Sequence, residues 1–437
     1  MCFPAERSAG RHPSPLHQEQ YDPVRKTRRP TITPAQLRGL TQARYSRRDT
    51  LRFAGLSAAA LALAGCGVEG QGQQAPASEN FWADKKSNGQ LRFANWPLYM
   101  DPEKPELKQF TETTGIEVEY SESIQDMPSW FGEIQPLLAN GDDIGADLMV
   151  LTSGQELNKL IALGHLAPLD HDQLLNFAEF AGDTYKMSAY DYGNRYTVPY
   201  ASGITGIAYD PERVGREITS LKDLWDPEFE GRVGMFRDPQ EIANFGLLYN
   251  GVDPADSTPE DWKAAADALK KQRDDGIVRA YYEQDYVQPL TNGDIWMTMA
   301  WSGDIFQVNA EEGTNLKFVI PEEGATLWTD NMTIPITAQN PVDALMLMNF
   351  FYNPDIAASL AEYINYICPV PHAQEVLRDK AEELSGEEKQ ALEDLADSPL
   401  VFPTQSDYAK LHNYVPLDVE AGEDEEFNST FQAITQA

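Results

Sequence analysis

Apolar positions recur in two periods along the chain after residue 90. Residues 91–96 form a short apolar run that predicts a strand. Asp101-Pro102 then opens a helix with Leu107 and Phe110 on one face, and Gly115 closes it. Ile116, Val118 and Tyr120 alternate as a strand. Residues 130–138 have helical spacing, but Pro136 predicts a kink or an early end. Residues 146–151 read as a buried strand, and 156–163 as a helix stopped at Gly164. This alternation predicts an α/β fold with an open, mostly parallel sheet covered by helices. Ligands of such sheets sit beyond the carboxyl ends of strands, here the turns after Trp96 and Leu151.

Further on, strands are expected over 196–200 and 204–209, flanking Gly203, and over 233–236, 296–300, 317–320 and 332–336; residues 221–225 lead into Pro227 and Gly231 before the strand at 233. Asp238-Pro239 opens a helix that carries Glu241. Thr258, followed by Pro259, caps a helix over 259–272 with a charged outer face. Pro341 starts a nearly unbroken apolar helix to Tyr352, in which Met346 and Met348 read as core filler. Asn353-Pro354-Asp355 starts another, and Ser385 with Glu388 predicts a capping box before an acidic, solvated helix.

At 437 residues the chain exceeds one ordinary domain, so two are expected. Its charge is −35 but unevenly spread: residues 1–65 hold 11 Lys+Arg and 4 Asp+Glu, leaving 23 and 65, a net −42, for the remainder. Such a surface excludes nucleic acid as a partner. Self-repulsion of this size calls for screening, and the Debye length shrinks to about 3 Å at 1 M salt. The composition therefore predicts a halophilic protein, with an ordinary acidic secreted protein as the alternative. Of the three cysteines, Cys2 and Cys66 belong to the leader and Cys368 is alone in the body, so no internal disulfide is expected.

Residues 1–65 read as an export signal. Ser46-Arg47-Arg48-Asp49-Thr50-Leu51 resembles the twin-arginine motif, and the apolar run 53–64 is too short and Ala-rich for a membrane span. The run ends in Leu63-Ala64-Gly65-Cys66, which resembles a lipoprotein box with Cys66 as the lipidated residue. Residues 66–87 then form a tether. Its Gly-, Gln-, Ala- and Ser-rich part, 67–80, spans at most roughly 50 Å.

Candidate chemistry concentrates in residues 295–332. Trp301-Ser302-Gly303-Asp304 and Trp328-Thr329-Asp330 each place an indole beside a carboxylate. An indole face attracts a cation, and a carboxylate forms charge-assisted hydrogen bonds to an ammonium group. Taken alone, the pattern fits core tryptophans and loop aspartates at least as well. The body has four histidines, His165, His171, His372 and His412, and none pairs at metal-ligand spacing. It contains no G-x-S-x-G, Walker A or G-x-G-x-x-G pattern. Prolines 369 and 371 break any helix that would align Cys368 with His372.

Several phrases together resemble the polyamine-binding proteins of ABC importers, the spermidine- and putrescine-binding type. They are Asn95-Trp96-x-x-Tyr99, Thr114-Gly115-Ile116-x-Val118, Asp147-Leu148-x-Val150 and Asp223-Leu224-Trp225-x-Pro227-x-x-x-Gly231. Asp238-x-x-Glu241, Trp301-x-Gly303, Trp328-x-Asp330 and Ile364-x-Tyr366 follow in the same order. Each is weak singly; together they span residues 88–437.

The resemblance implies a two-lobed periplasmic binding protein fold of type II, each lobe a mostly parallel sheet flanked by helices. Lobe 1 is expected over 88–203 and 329–375, lobe 2 over 204–328 and 376–437. In the cleft, the resemblance makes Trp96 and Tyr99 an aromatic pair, Trp301 and Trp328 indoles boxing a methylene chain, and Tyr366 a further aromatic. Asp238, Glu241 and Asp330 become acids for amino groups, and Asp304 an acid of the putrescine-binding branch. Where the family offers Ser-x-Tyr, this chain has Thr152-Ser153-Gly154: the hydroxyl survives at Thr152 and the aromatic is lost. The family's glutamine near the C-terminus has no clear counterpart.

The reading at this stage is a monomeric, lipid-anchored solute receptor outside the cytoplasmic membrane. It needs no cofactor or metal, performs no catalysis and hands its polyamine to an ABC permease. Three alternatives stay open: the same fold with another organic cation or ferric iron, a secreted hydrolase using Asp238 and Glu241 as its acid pair, and a sensory role.

Overall fold

The computed structural model describes residues 81–418 and 421–436. The leader motif at Arg47 and Arg48, Cys66 and most of the tether lie outside them. One ten-stranded mixed sheet runs through the described residues, in the order β2-β1-β3-β9-β4-β7-β5-β6, with β10 beside β9 and β8 beside β4.

Its first wing is parallel: β1 (Gln90–Ala94) pairs with β2 (Glu117–Ser121) and β3 (Leu148–Thr152). Its other wing is parallel too: β5 (Val233–Phe236) pairs with β6 (Val278–Tyr282) and β7 (Met297–Trp301). The centre is antiparallel. There β4 (Thr197–Tyr209) pairs with β7 on one side and β9 (Ala325–Thr333) on the other, and β9 pairs in turn with β3. The short β8 (Lys317–Val319) and β10 (Leu411–His412) flank this centre. The expectation of mostly parallel sheets thus holds for the wings, while two long crossing strands weld them into a single sheet.

Both crossing strands are buried along their whole length. Burial on both faces removes the apolar–polar alternation of a half-exposed strand, and polar residues such as Thr205, Thr329 and Asp330 are buried with the rest. The two strands expected on either side of Gly203 are one strand, with the glycine at its middle. β4 also serves two cores. Val198, Tyr200 and Ala201 belong to the first, around Phe93, Phe110 and Phe351; Ile207, Ala208 and Tyr209 belong to the second, around Phe236, Trp262 and Phe427. The helices Ala373–Glu382 and Glu387–Asp397 bury Leu377, Leu392 and Leu395 in the first core. Only the final helix, Glu423–Thr435, returns to the second, through Phe427, Phe431 and Ile434.

Several local expectations change. The first helix begins at Pro105 rather than after Asp101-Pro102. The helix Met127–Asn140 carries Pro136 without ending there. Pro136 lies on its exposed face, where water can take the carbonyl that the proline leaves unpaired. Residues 221–225, left without an element by the sequence pattern, are a 3₁₀ turn closed by a Ser220–Asp223 capping box. Ser385 caps nothing: Gly386 holds the N-cap position of Glu387–Asp397, with no side-chain bond there. Met348 is fully buried, whereas Met346 is 38% exposed on the outer face of its helix and fills no core.

Candidate ligand-binding site

Cross-strand register assembles the site at the centre of the sheet. Thr152, the last residue of β3, lies opposite Asp330 on β9. Two residues back along β9, Trp328 lies opposite Gly203, and Thr205 lies opposite Trp301, the last residue of β7. Side chains two apart on a strand share a face, so Trp328 and Asp330 point the same way. Gly203 makes room for the indole: a Cβ there would sit 2.0 Å from Trp328 Cζ2.

Asp330 is buried and accepts hydrogen bonds from Tyr99 Oη at 2.5 Å and Thr152 Oγ1 at 2.5 Å. Burial pushes its carboxyl up to about 6, against the pull of the two hydroxyls. Tyr99 stacks on Tyr200 at 5.8 Å and tilts against Tyr366 at 5.9 Å. Trp328 meets Tyr366 edge to face at 5.2 Å, and its buried Nε1 has no hydrogen-bond partner. Tyr366 is placed by its neighbour Ile367, which bridges to Ser202 on β4. Its hydroxyl donates to Asp304 Oδ1 at 2.9 Å, and Tyr286 donates to Asp304 Oδ2 at 2.6 Å. Burial raises the Asp304 carboxyl, and both phenols oppose the rise.

Glu241 forms the other acidic centre and is 3% exposed. Its Oε1 gathers Thr205 Oγ1 at 2.8 Å, Tyr414 Oη at 2.8 Å and Trp301 Nε1 at 3.3 Å. Its Oε2 is buried with no hydrogen-bond partner among the described residues. Burial, aided by the charge of Asp238, pushes the carboxyl up to about 7, and the three donors work against that. Asp238 caps the helix Pro239–Tyr249, its Oδ1 accepting from the backbone N–H of Gln240 and Glu241. It keeps exposed surface, yet its carboxyl is raised by lost hydration, against the pull of its two backbone donors.

Eight expected residues thus form one connected cluster: Tyr99, Thr152, Glu241, Trp301, Asp304, Trp328, Asp330 and Tyr366. Two stand at its margins. Trp96 is half-buried and donates its indole N–H to Val150 O at 3.0 Å, and Asp238 acts chiefly as a cap with charge to spare. Sequence reasoning missed Thr205, Tyr286 and Tyr414. Thr205 lies in the expected strand 204–209, but nothing local marks its partner Glu241, 36 residues away.

The missing aromatic at residue 154 has a structural counterpart. Gly154 adopts φ +140°, and a Cβ there would come 2.8 Å from Gln240 Oε1. That oxygen accepts from Gln155 N at 3.1 Å. The side chain of Gln240, from the helix in the second core, therefore occupies the space in front of Gly154. Beside it, Gln155 and Asn428 pair their carboxamides reciprocally, at 2.7 and 3.2 Å, and Lys159 meets Asp424 at 2.8 Å.

Two α/β wings joined by crossing strands, with aromatic and acidic side chains converging at the junction, define a two-lobed solute-binding protein with the type II periplasmic binding fold. Residues 107–386 match the model of the bacterial extracellular solute-binding protein family, and the chain belongs to that family. It is 31% identical over 296 residues to the spermidine/putrescine-binding periplasmic protein of Escherichia coli K12, a match covering 68% of this chain and 82% of that one. A putrescine/agmatine-binding protein of Pseudomonas aeruginosa is 30% identical over 309 residues, covering 67% and 80%. Among solved structures, a spermidine/putrescine ABC transporter substrate-binding protein from Streptococcus pneumoniae superposes with a TM-score of 0.67 at 26% identity. That match covers 80% of this chain and 99% of the other. Among the described residues, no helix is long and apolar enough to cross a membrane.

Proposed function

We propose that the chain captures a polyamine, putrescine or spermidine, between its lobes and delivers it to an ABC permease. The observation that carries this reading is Glu241: three donors fix one carboxylate oxygen and leave the other buried and unpartnered beside Trp301. An ammonium N–H would satisfy that oxygen, and a buried carboxylate without such a partner costs several kcal/mol. Asp330 and Asp304, each held by two hydroxyls, provide for further amino groups. Trp301, Trp328, Tyr99 and Tyr366 would cover the methylenes at about 25 cal/mol per Å². Trp96 and Asp238 line the margins, and the site needs no cofactor.

The relatives named for spermidine, putrescine and agmatine support the ligand class, and the family supports capture rather than catalysis. We take lobe 1 as the first core with its two late helices, and lobe 2 as the second core with the final helix. The protein is proposed to act as a monomer, exported through the twin-arginine motif and anchored by a lipid on Cys66.

Calorimetric titration with putrescine, spermidine, glycine betaine and iron(III) tests the reading. Saturable heat is expected with a polyamine; none with any polyamine would overturn it.

A further inference from the structure

The stretch from Trp301 to Asp304 has the layout of a capping box without being one. The helix Ser302–Glu312 has Trp301 at its N-cap, with no side-chain cap, and Asp304 three residues on. In a capping box the acid at that third position reaches back and accepts the N-cap backbone N–H. Here Trp301 N donates instead to Tyr286 Oη at 3.0 Å, and Tyr286 Oη donates onward to Asp304 Oδ2 at 2.6 Å. One hydroxyl is thus inserted between donor and acid. It satisfies the helix terminus while keeping the carboxylate off it, and the second carboxylate oxygen meets Tyr366 at 2.9 Å. Tyr286 is itself rigidly held: it is fully buried, with its ring edge-to-face against Phe236 at 5.3 Å and Trp301 at 5.9 Å.

We infer that Tyr286 is a positioning residue for amine selectivity, holding Asp304 out of the capping position and presenting it to a ligand ammonium between Tyr366 and Trp301. The inference rests on the polyamine reading above and adds a residue that never touches the ligand. Without the hydroxyl, Asp304 has an unpaired backbone N–H within its natural reach. It turns inward to cap the helix and leaves the site.

The test measures putrescine and n-butylamine binding by calorimetry for wild type, Tyr286→Phe, Asp304→Ala and the double variant. Tyr286→Phe is expected to weaken putrescine about tenfold, the scale of one charge-assisted hydrogen bond, and butylamine much less. The double variant should bind like Asp304→Ala alone. A merely structural role for Tyr286 would weaken both amines equally and add to the loss from Asp304→Ala, and either result overturns the inference. Should Tyr286→Phe fold poorly, Tyr366→Phe decides. It leaves the relay intact and should cost less than Asp304→Ala, whereas an equal cost would make Tyr366 the positioning group. Wild type that gives no heat with either putrescine or spermidine sinks the polyamine reading itself; wild type that binds, with Tyr286→Phe unchanged, sinks only the role of Tyr286.

Discussion

Lowering the pH from 8 to 6 should weaken polyamine binding, and the size of the loss follows from two carboxyls. Glu241 is pushed up to about 7 and Asp330 to about 6, in both cases mainly by burial. A bound ammonium stabilises the charged form, so both carboxylates are ionised in the complex. The ligand-free protein must then release whatever protons they hold. Each group contributes a factor of one plus the protonated-to-ionised ratio. Between pH 8 and 6 that factor changes about tenfold for Glu241 and about twofold for Asp330. The product is about twentyfold, or roughly 2 kcal/mol. The amines themselves keep their charge across this window, as a lysine does.

At pH 7 the same arithmetic gives a release of roughly half a proton per ligand bound. Titration in phosphate and in Tris, whose ionisation heats differ, measures that number directly. Equal affinity at pH 6 and 8, with no buffer-dependent heat, would refute the reasoning. The sign for stability runs opposite to the sign for binding. Both folded values lie above those of an unfolded chain, so the stabilisation is full below about 4 and is lost as pH rises through 6 to 7. The ligand-free protein should therefore gain from these two groups on mild acidification, just where it loses ligand.

Trp301→Ala should cost roughly 1–3 kcal/mol of amine binding, and Asp330→Asn as much or more through an unpaired ammonium; variants that titrate like wild type would displace the site. Gly203→Ala forces a methyl into the Trp328 indole. It should lower stability by about 1–3 kcal/mol in denaturant melts and weaken binding as well. The acidic body should melt at a markedly higher temperature in molar salt than in low salt, and equal midpoints would remove the halophilic reading.

The sequence was most legible where local rules dominate. The strand Val233–Phe236 was visible as a short apolar run after Gly231, and the Thr258 cap from the Thr-Pro-Glu-Asp start. The crossing strands were harder, because burial on both faces removes the period-two signal and left β4 and β9 each only partly predicted. Candidate site residues, such as Thr152 and Trp301 at strand ends and Asp330 within β9, carried short motifs. Their supports did not. Tyr414 reaches Glu241 across 173 residues from an irregular segment, and Tyr286 reaches Asp304 from an unpatterned tyrosine-rich stretch. Nothing in hydrophobic periodicity encodes such pairings, since they depend on where the final helix and the second wing come to rest.

Gly154 and Gln240 share one volume, and the sharing has a consequence for how such proteins diverge. Gly154 holds a backbone angle that disfavours any side chain, and the amide of Gln240 stands where its Cβ would project. An aromatic at 154 would first have to move the Gln240 amide, which is the far end of a flexible side chain and can swing aside. The backbone does not yield so readily, since φ +140° is strained for any residue that carries a Cβ. Reshaping this end of the site is therefore limited by the turn at 154 more than by the side chain that now stands in front of it.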